Sequence, residues 1–151
     1  MNGNFDKSFV PYRLAGAYLQ ERLQKAGISH PVVGIICGSG LSGLADTLQG
    51  TTLTVQYSEI PGFPSHRTVA GHKGEVVFGT LSGVSAMCFR GRFHSYEGHD
   101  MKTVVLPVNV MRTLGVRICL VTNAAGGLVC FEREREFVCV CMLFQSDESM
   151  N

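Results

Sequence analysis

The chain has 151 residues, 45% of them apolar and 17% charged, with a formal net charge of +1. Such a length suits one domain with its own core, and the composition is that of a folded chain rather than a disordered one. A charge so close to zero argues against nucleic acid or an acidic membrane surface as partner. No apolar run approaches the roughly 20 residues that span a bilayer, and the opening Met1-Asn2-Gly3-Asn4-Phe5-Asp6 lacks the charged-then-apolar order of a signal peptide. A cytoplasmic protein is therefore expected. The six cysteines (Cys37, Cys88, Cys119, Cys130, Cys139 and Cys141) form no Cys-x-x-Cys pair, so reduced thiols and no metal site are expected.

Residues 12–26 carry Leu14, Ala15, Tyr18, Leu19, Leu23 and Ala26 at helical spacing, and Gly27 is a natural stop. Residues 32–37, Val-Val-Gly-Ile-Ile-Cys, are continuously apolar, which suits a strand buried on both faces. A short helix is expected over 41–48 and a strand over the threonine- and valine-rich 52–58. Pro61-Gly62-Phe63-Pro64 is a loop. Residues 75–81 and 84–90 read as two strands joined by Ser82-Gly83, a hairpin signal. The polar stretch from Gly91 to Asp100 reads as irregular. A helix is expected over 102–114, although Pro107 removes one of its hydrogen bonds. Residues 117–122 form a second apolar strand, expected to be central and buried, with a loop at Asn123-Ala124-Ala125-Gly126-Gly127. After the alternating charges of 132–136, residues 137–144 are strand-prone, uncharged and free of proline. Such a segment aggregates, or docks as a substitute strand.

Three segments point to an oxyanion site. Gly38-Ser39-Gly40 follows a buried strand, where a glycine turn exposes N–H groups and Ser39 adds a hydroxyl; the alternative is a plain tight turn. Gly38, Gly40 and Gly43 also match the dinucleotide-binding Gly-x-Gly-x-x-Gly. Only about eight residues separate Gly43 from the next strand, too few for a crossover helix, which needs a dozen or more. In Arg90-Gly91-Arg92-Phe93-His94, residues two apart on an extended chain point the same way. Arg92 and His94 can thus meet one ligand, the Arg offering a planar fork for two oxygens, or simply end a solvated strand. The small residues around Ala124 let a ligand approach beyond a strand end, where open α/β sheets bind ligands, or make an ordinary turn.

Taken in order, Ile36-Cys37-Gly38-Ser39-Gly40-Leu41, Ile60-Pro61-Gly62-Phe63-Pro64, Gly71-His72-Lys73-Gly74, Gly91-Arg92-Phe93-His94-Ser95-Tyr96-Glu97-Gly98 and Val121-Thr122-Asn123-Ala124-Ala125-Gly126-Gly127-Leu128 resemble the trimeric purine nucleoside phosphorylases. The match runs from about residue 12 to Leu128. Methylthioadenosine phosphorylase is a close cousin, but the Gly-Ser-Gly and Asn-Ala-Ala-Gly-Gly segments favour the purine nucleoside enzymes. The resemblance implies a truncated α/β nucleoside phosphorylase fold, a mixed sheet flanked by helices. It implies cleavage of purine (deoxy)ribonucleosides by inorganic phosphate as co-substrate, in purine salvage, by a homotrimer with no further cofactor. Ser39, His72, Arg92, His94 and the backbone at Ala124 would hold phosphate, and Tyr96 would lie near the sugar. It also implies a division into 1–128, the amino-terminal half of such a domain, and 129–151, a divergent tail. No catalytic set is complete here: the family's purine-contacting Glu and Asn, a further Ser and a sugar-contacting His fall beyond the match. A non-catalytic isoform or a faulty gene model is the competing expectation.

Overall fold

Four residues, Val33–Ile36, organise the sheet. This strand, β1, lies between two parallel neighbours, β4 (Val84–Arg90) and β5 (Ile118–Gly126), with Ile35 opposite Cys88 on one side and Leu120 on the other. A computed structural model describes residues 10–38, 40–64, 73–126 and 136–144. Around β1 the order is β2-β3-β4-β1-β5-β6, with β2 (Gln49–Gln56), β3 (Glu75–Leu81) and β6 (Glu136–Phe144) all antiparallel to their partners. The sheet is mixed and the fold is α/β, as expected.

The apolar pattern of β1 explains its place, because a strand paired on both edges and covered on both faces has no solvent side. Successive side chains divide between two clusters. Ile36, Met87, Phe89, Val76 and Phe78 meet α1 (Val10–Ala26) and α3 (Leu106–Thr113) through Leu19, Leu23, Val110 and Met111. Ile35, Cys37, Ala86 and Cys88 face the other way, toward Ala45 and Leu48 beside a 3-10 helix over Ser42–Thr47. No helix among the described residues is long and apolar enough to cross a membrane.

Several expectations shift in detail. The helix expected over 102–114 is two pieces, α2 (Met101–Val104) and α3, with Pro107 in the first turn of the second. Proline lacks the N–H and its ring collides with the carbonyl four residues back, so the helix restarts where those losses do not matter. The helix over 41–48 tightens to the 3-10 form. The strand over 52–58 starts earlier and stops at Gln56, because a reciprocal cap between Gln56 and Glu59 turns Tyr57–Glu59 into a 3-10 turn. The Ser82-Gly83 hairpin forms, with φ of 49° and 81° at its two turn residues. Residues 117–122 do form a central strand, but Leu120 is only half-buried, since on its face no full helix covers the sheet among the described residues. The expected loop at Asn123–Gly126 is instead a continuation of β5, paired with β6 through Gly126↔Glu136. The apolar tail thus docks as a sixth strand, the second of the two outcomes expected of it.

Phe89 is fully buried against Tyr57 and Phe63 in an aromatic cluster. Phe89→Ala is expected to lower unfolding free energy by about 3–5 kcal/mol, read as a fall in the urea midpoint with little change in slope.

Candidate functional site

The three parallel strands deliver their carboxyl ends to one edge. On β1 the ladder continues one residue past the strand, with the Cys37 N–H donating to the Phe89 carbonyl at 3.0 Å. The next N–H, of Gly38, donates to Thr122 Oγ1 at 3.1 Å. That hydroxyl also reaches the Ile36 carbonyl at 3.3 Å, so one buried threonine ties the end of β1 to β5. A Cβ at Gly38 would lie 2.5 Å from the Thr122 carbonyl oxygen and 2.9 Å from the Asn123 Cα. No side chain fits there, which is the physical reason for glycine.

The segment after β4 is held from below. The buried Tyr57 hydroxyl donates to the Gly91 carbonyl at 2.8 Å, and burial pushes its pKa well up, so it remains a neutral donor. Phe93 is buried against Tyr57 and Phe63, whereas Arg92 and His94 on either side of it are only half-buried. The alternation expected along Arg92-Phe93-His94 is therefore present.

The two arginines have different fates. Arg90 is buried and committed: its Nε donates to the Ser42 carbonyl at 2.9 Å, one Nη reaches Glu75 at 3.0 Å, and the other faces Asp46 at 2.6 Å. Burial pulls its pKa down, but the two carboxylates outweigh that and raise it. The Nε of Arg92 is buried with no hydrogen-bond partner among the described residues. A buried donor without a partner is costly, and a guanidinium in that state suits an anion. Arg92 lies two residues past the end of β4, the strand that pairs with β1.

His94 begins a 3-10 turn over Ser95–Glu97. The Glu97 carboxylate accepts from the His94 N–H at 2.9 Å and lies 3.4 Å from its Nδ1, with His99 Nε2 at 3.8 Å. Glu97 thereby orients the imidazole. Tyr96 is stacked on His94, with ring centroids 4.7 Å apart, and is 75% exposed. Reading from residue types alone missed Glu97 and Thr122. The first carries a legible sign, an acid three residues after the start of a turn; the second has none, since a threonine inside an apolar strand is ordinary.

Ser39 and His72 lie outside the described residues. Ala124 belongs to β5 rather than to a loop, opposite Val138 of β6. Its pairing with β1 has already ended at Ile36↔Val121. Its backbone on that edge therefore extends past β1, one residue beyond Asn123, whose Cα lies against Gly38. Among the described residues no three His, Cys, Asp or Glu side chains gather as metal ligands. A cavity of about 320 Å³ lies elsewhere, lined by Pro11, Tyr12, Asp100, Lys102 and Asn109; there Asp100 already caps α2 through the Thr103 N–H.

The sequence model of the phosphorylase superfamily matches residues 32–143. Purine nucleoside phosphorylase 1 of Bacillus subtilis is 46% identical over 114 residues, covering 76% of this chain and 40% of the relative. The purine nucleoside phosphorylase of Bos taurus is 48% identical over 122 residues, covering 76% of this chain and 42% of its own length. A crystal structure of the Schistosoma mansoni purine nucleoside phosphorylase with adenosine superposes with a TM-score of 0.67 at 44% identity, covering 78% of this chain and 38% of that one. Another, of a purine nucleoside phosphorylase with ribose-1-phosphate, gives 0.67 at 47% identity, covering 78% and 41%. The chain thus spans about two-fifths of the length of these relatives.

Thr122→Val keeps the shape of residue 122 but strands the buried Gly38 N–H. The expected loss is about 1–3 kcal/mol of stability, with faster amide exchange at Gly38 than at Ile35. Unchanged exchange at Gly38 would show that the hydroxyl does not hold the turn.

Proposed function

Since the chain belongs to the phosphorylase superfamily and resembles its purine nucleoside phosphorylases over three-quarters of its own length, we propose that its converging strand ends form the phosphate-holding part of a purine nucleoside phosphorolysis site. The observation that carries this is the buried Nε of Arg92, unpartnered among the described residues, just past the end of β4. Inorganic phosphate offers oxygens to such a fork and carries the charge that offsets it. The chain supplies a guanidinium at Arg92, an imidazole oriented by Glu97 at His94, and backbone at Ala124. Ser39 and His72 join them by resemblance, and Tyr96 takes the sugar.

The chemistry follows from the position of such an anion. Cleavage of a glycosidic bond passes through an oxocarbenium-like transition state. A phosphate fixed beneath the sugar acts both as the attacking nucleophile and as the charge that stabilises that cation. Glu97 contributes by fixing His94, so that the imidazole need not reorganise as charge develops. Purine salvage in the cytoplasm, assembly as a homotrimer, and the division into 1–128 and a tail at 129–151 belong to the same proposal. Because the chain spans about two-fifths of its relatives, the proposal for the isolated chain is phosphate binding without turnover of nucleoside.

Phosphate titration by calorimetry tests the site. Arg92→Ala is expected to weaken phosphate about 10- to 100-fold, the equivalent of one or two charge-assisted hydrogen bonds, with the fold unchanged by circular dichroism. Equal affinity in the two proteins would refute the role of Arg92. With inosine and phosphate, the pure chain is expected to release no hypoxanthine; phosphate-dependent release would overturn the view that the residues beyond the match are indispensable.

A further inference from the structure

Cys37 and Cys88 lie on neighbouring parallel strands with their sulfurs 3.2 Å apart, both fully buried. The register places Ile35 opposite Cys88, so Cys37 stands two residues further toward the carboxyl end of β1 and on the same face as Cys88. The third described cysteine, Cys119, is in the opposite cluster against Met111. Cys37 immediately precedes the Gly38 turn.

We propose that Cys37 and Cys88 form a peroxide-sensitive redox site, in which the two thiols close to an inter-strand disulfide that displaces the end of β1 and opens the Gly38 turn. The inference rests on the phosphate reading only for its functional consequence, loss of phosphate binding. The two sulfurs are not equivalent. The hydrogen bond from Cys88 lowers the pKa of Cys37; burial opposes it, and the nearby charges of Arg90 and Arg92 add to the lowering. The same hydrogen bond, together with burial, raises Cys88. In this proposal Cys37, which stands at the strand end in the field of both arginines, attacks and Cys88 resolves.

The balance is closed by hydrogen peroxide. Cys37 sulfur, as thiolate, attacks one peroxide oxygen; the O–O bond breaks, and the departing hydroxide takes up the proton that Cys37 gave up and leaves as water. Cys37 is then a sulfenic acid. Cys88 sulfur attacks it, the S–S bond forms, the S–O bond breaks, and the hydroxide leaves with the Cys88 proton as a second water. Two thiols are oxidised by two electrons and one peroxide is reduced to two waters. Because both sulfurs are buried, peroxide enters through local opening of the strand end, so the reaction is slow. Bringing the sulfurs from 3.2 Å to a bond length of about 2.05 Å requires about 1.2 Å of movement. The β1 end is held there by the Cys37–Phe89 backbone bond and the Gly38–Thr122 tie, and these are the bonds the closure displaces.

Fully reduced chain is treated with hydrogen peroxide, alkylated and digested with trypsin without reductant. The expected product is a disulfide-linked pair of peptides 26–67 and 74–90, which hold Cys37 and Cys88 respectively. It should vanish on dithiothreitol treatment and be absent from Cys88→Ala, where Cys37 goes on to sulfinic acid instead. Amide exchange at Gly38 should quicken in the oxidised chain and recover on reduction. Absence of that linked pair while other cysteines oxidise would overturn the proposal, and linkage with unchanged exchange at Gly38 would overturn the switching part. These readouts need no phosphate. A linked pair in a chain that never binds phosphate would sink the phosphate reading and leave the redox site standing.

Discussion

The seat of Gly38 against Thr122 is the constraint on which the rest of the molecule turns. A four-residue strand is a weak element alone, yet β1 is paired along both edges, and its end is tied to β5 through one buried hydroxyl. That tie works only because residue 38 has no Cβ. It brings three carboxyl ends to one edge and sets the spacing between the turn after β1, the backbone of β5 and the chain leaving β4. The helices and aromatic cluster serve this edge indirectly, by keeping β4 and the 91–94 segment fixed beside it.

Charge is distributed with the same logic. Two arginines two residues apart at the end of one strand would repel each other if both were left unpaired in a half-buried edge. Arg90 avoids this by taking Glu75, Asp46 and a backbone carbonyl, so it braces the strand end rather than serving a ligand. Arg92 keeps its Nε unspent among the described residues. Together with the hydrogen bond from Cys88, the positive charge of both arginines acts on the Cys37 thiol and lowers its pKa.

Much of the fold was legible because hydrophobic period and turn chemistry are local. The apolar run at 32–37, the Ser82-Gly83 hairpin and the helix ending at Gly27 each needed only their own residues. What escaped were features decided at a distance. Asn123–Gly126 looks like a loop from its small residues, but it becomes strand because β6, some ten residues later, supplies a partner. The half-burial of Leu120 depends on what covers a face, which no window of sequence contains. At the candidate site the spacing made legible that Arg92 and His94 flank a buried Phe93; the roles of those residues and of Tyr96 came from resemblance. The commitment of Arg90 to Asp46 and Glu75 was not, since those acids are far away in sequence.

The central claim, that these strand ends bind phosphate as a unit, is tested most directly by amide hydrogen exchange of the chain with and without inorganic phosphate. The account predicts slower exchange at Gly40, across Arg92–Tyr96 and at Ala124, with no change at the Ser82-Gly83 hairpin on the far edge. Uniform slowing across the chain, or no slowing at Arg92–Tyr96 in the presence of saturating phosphate, would contradict it.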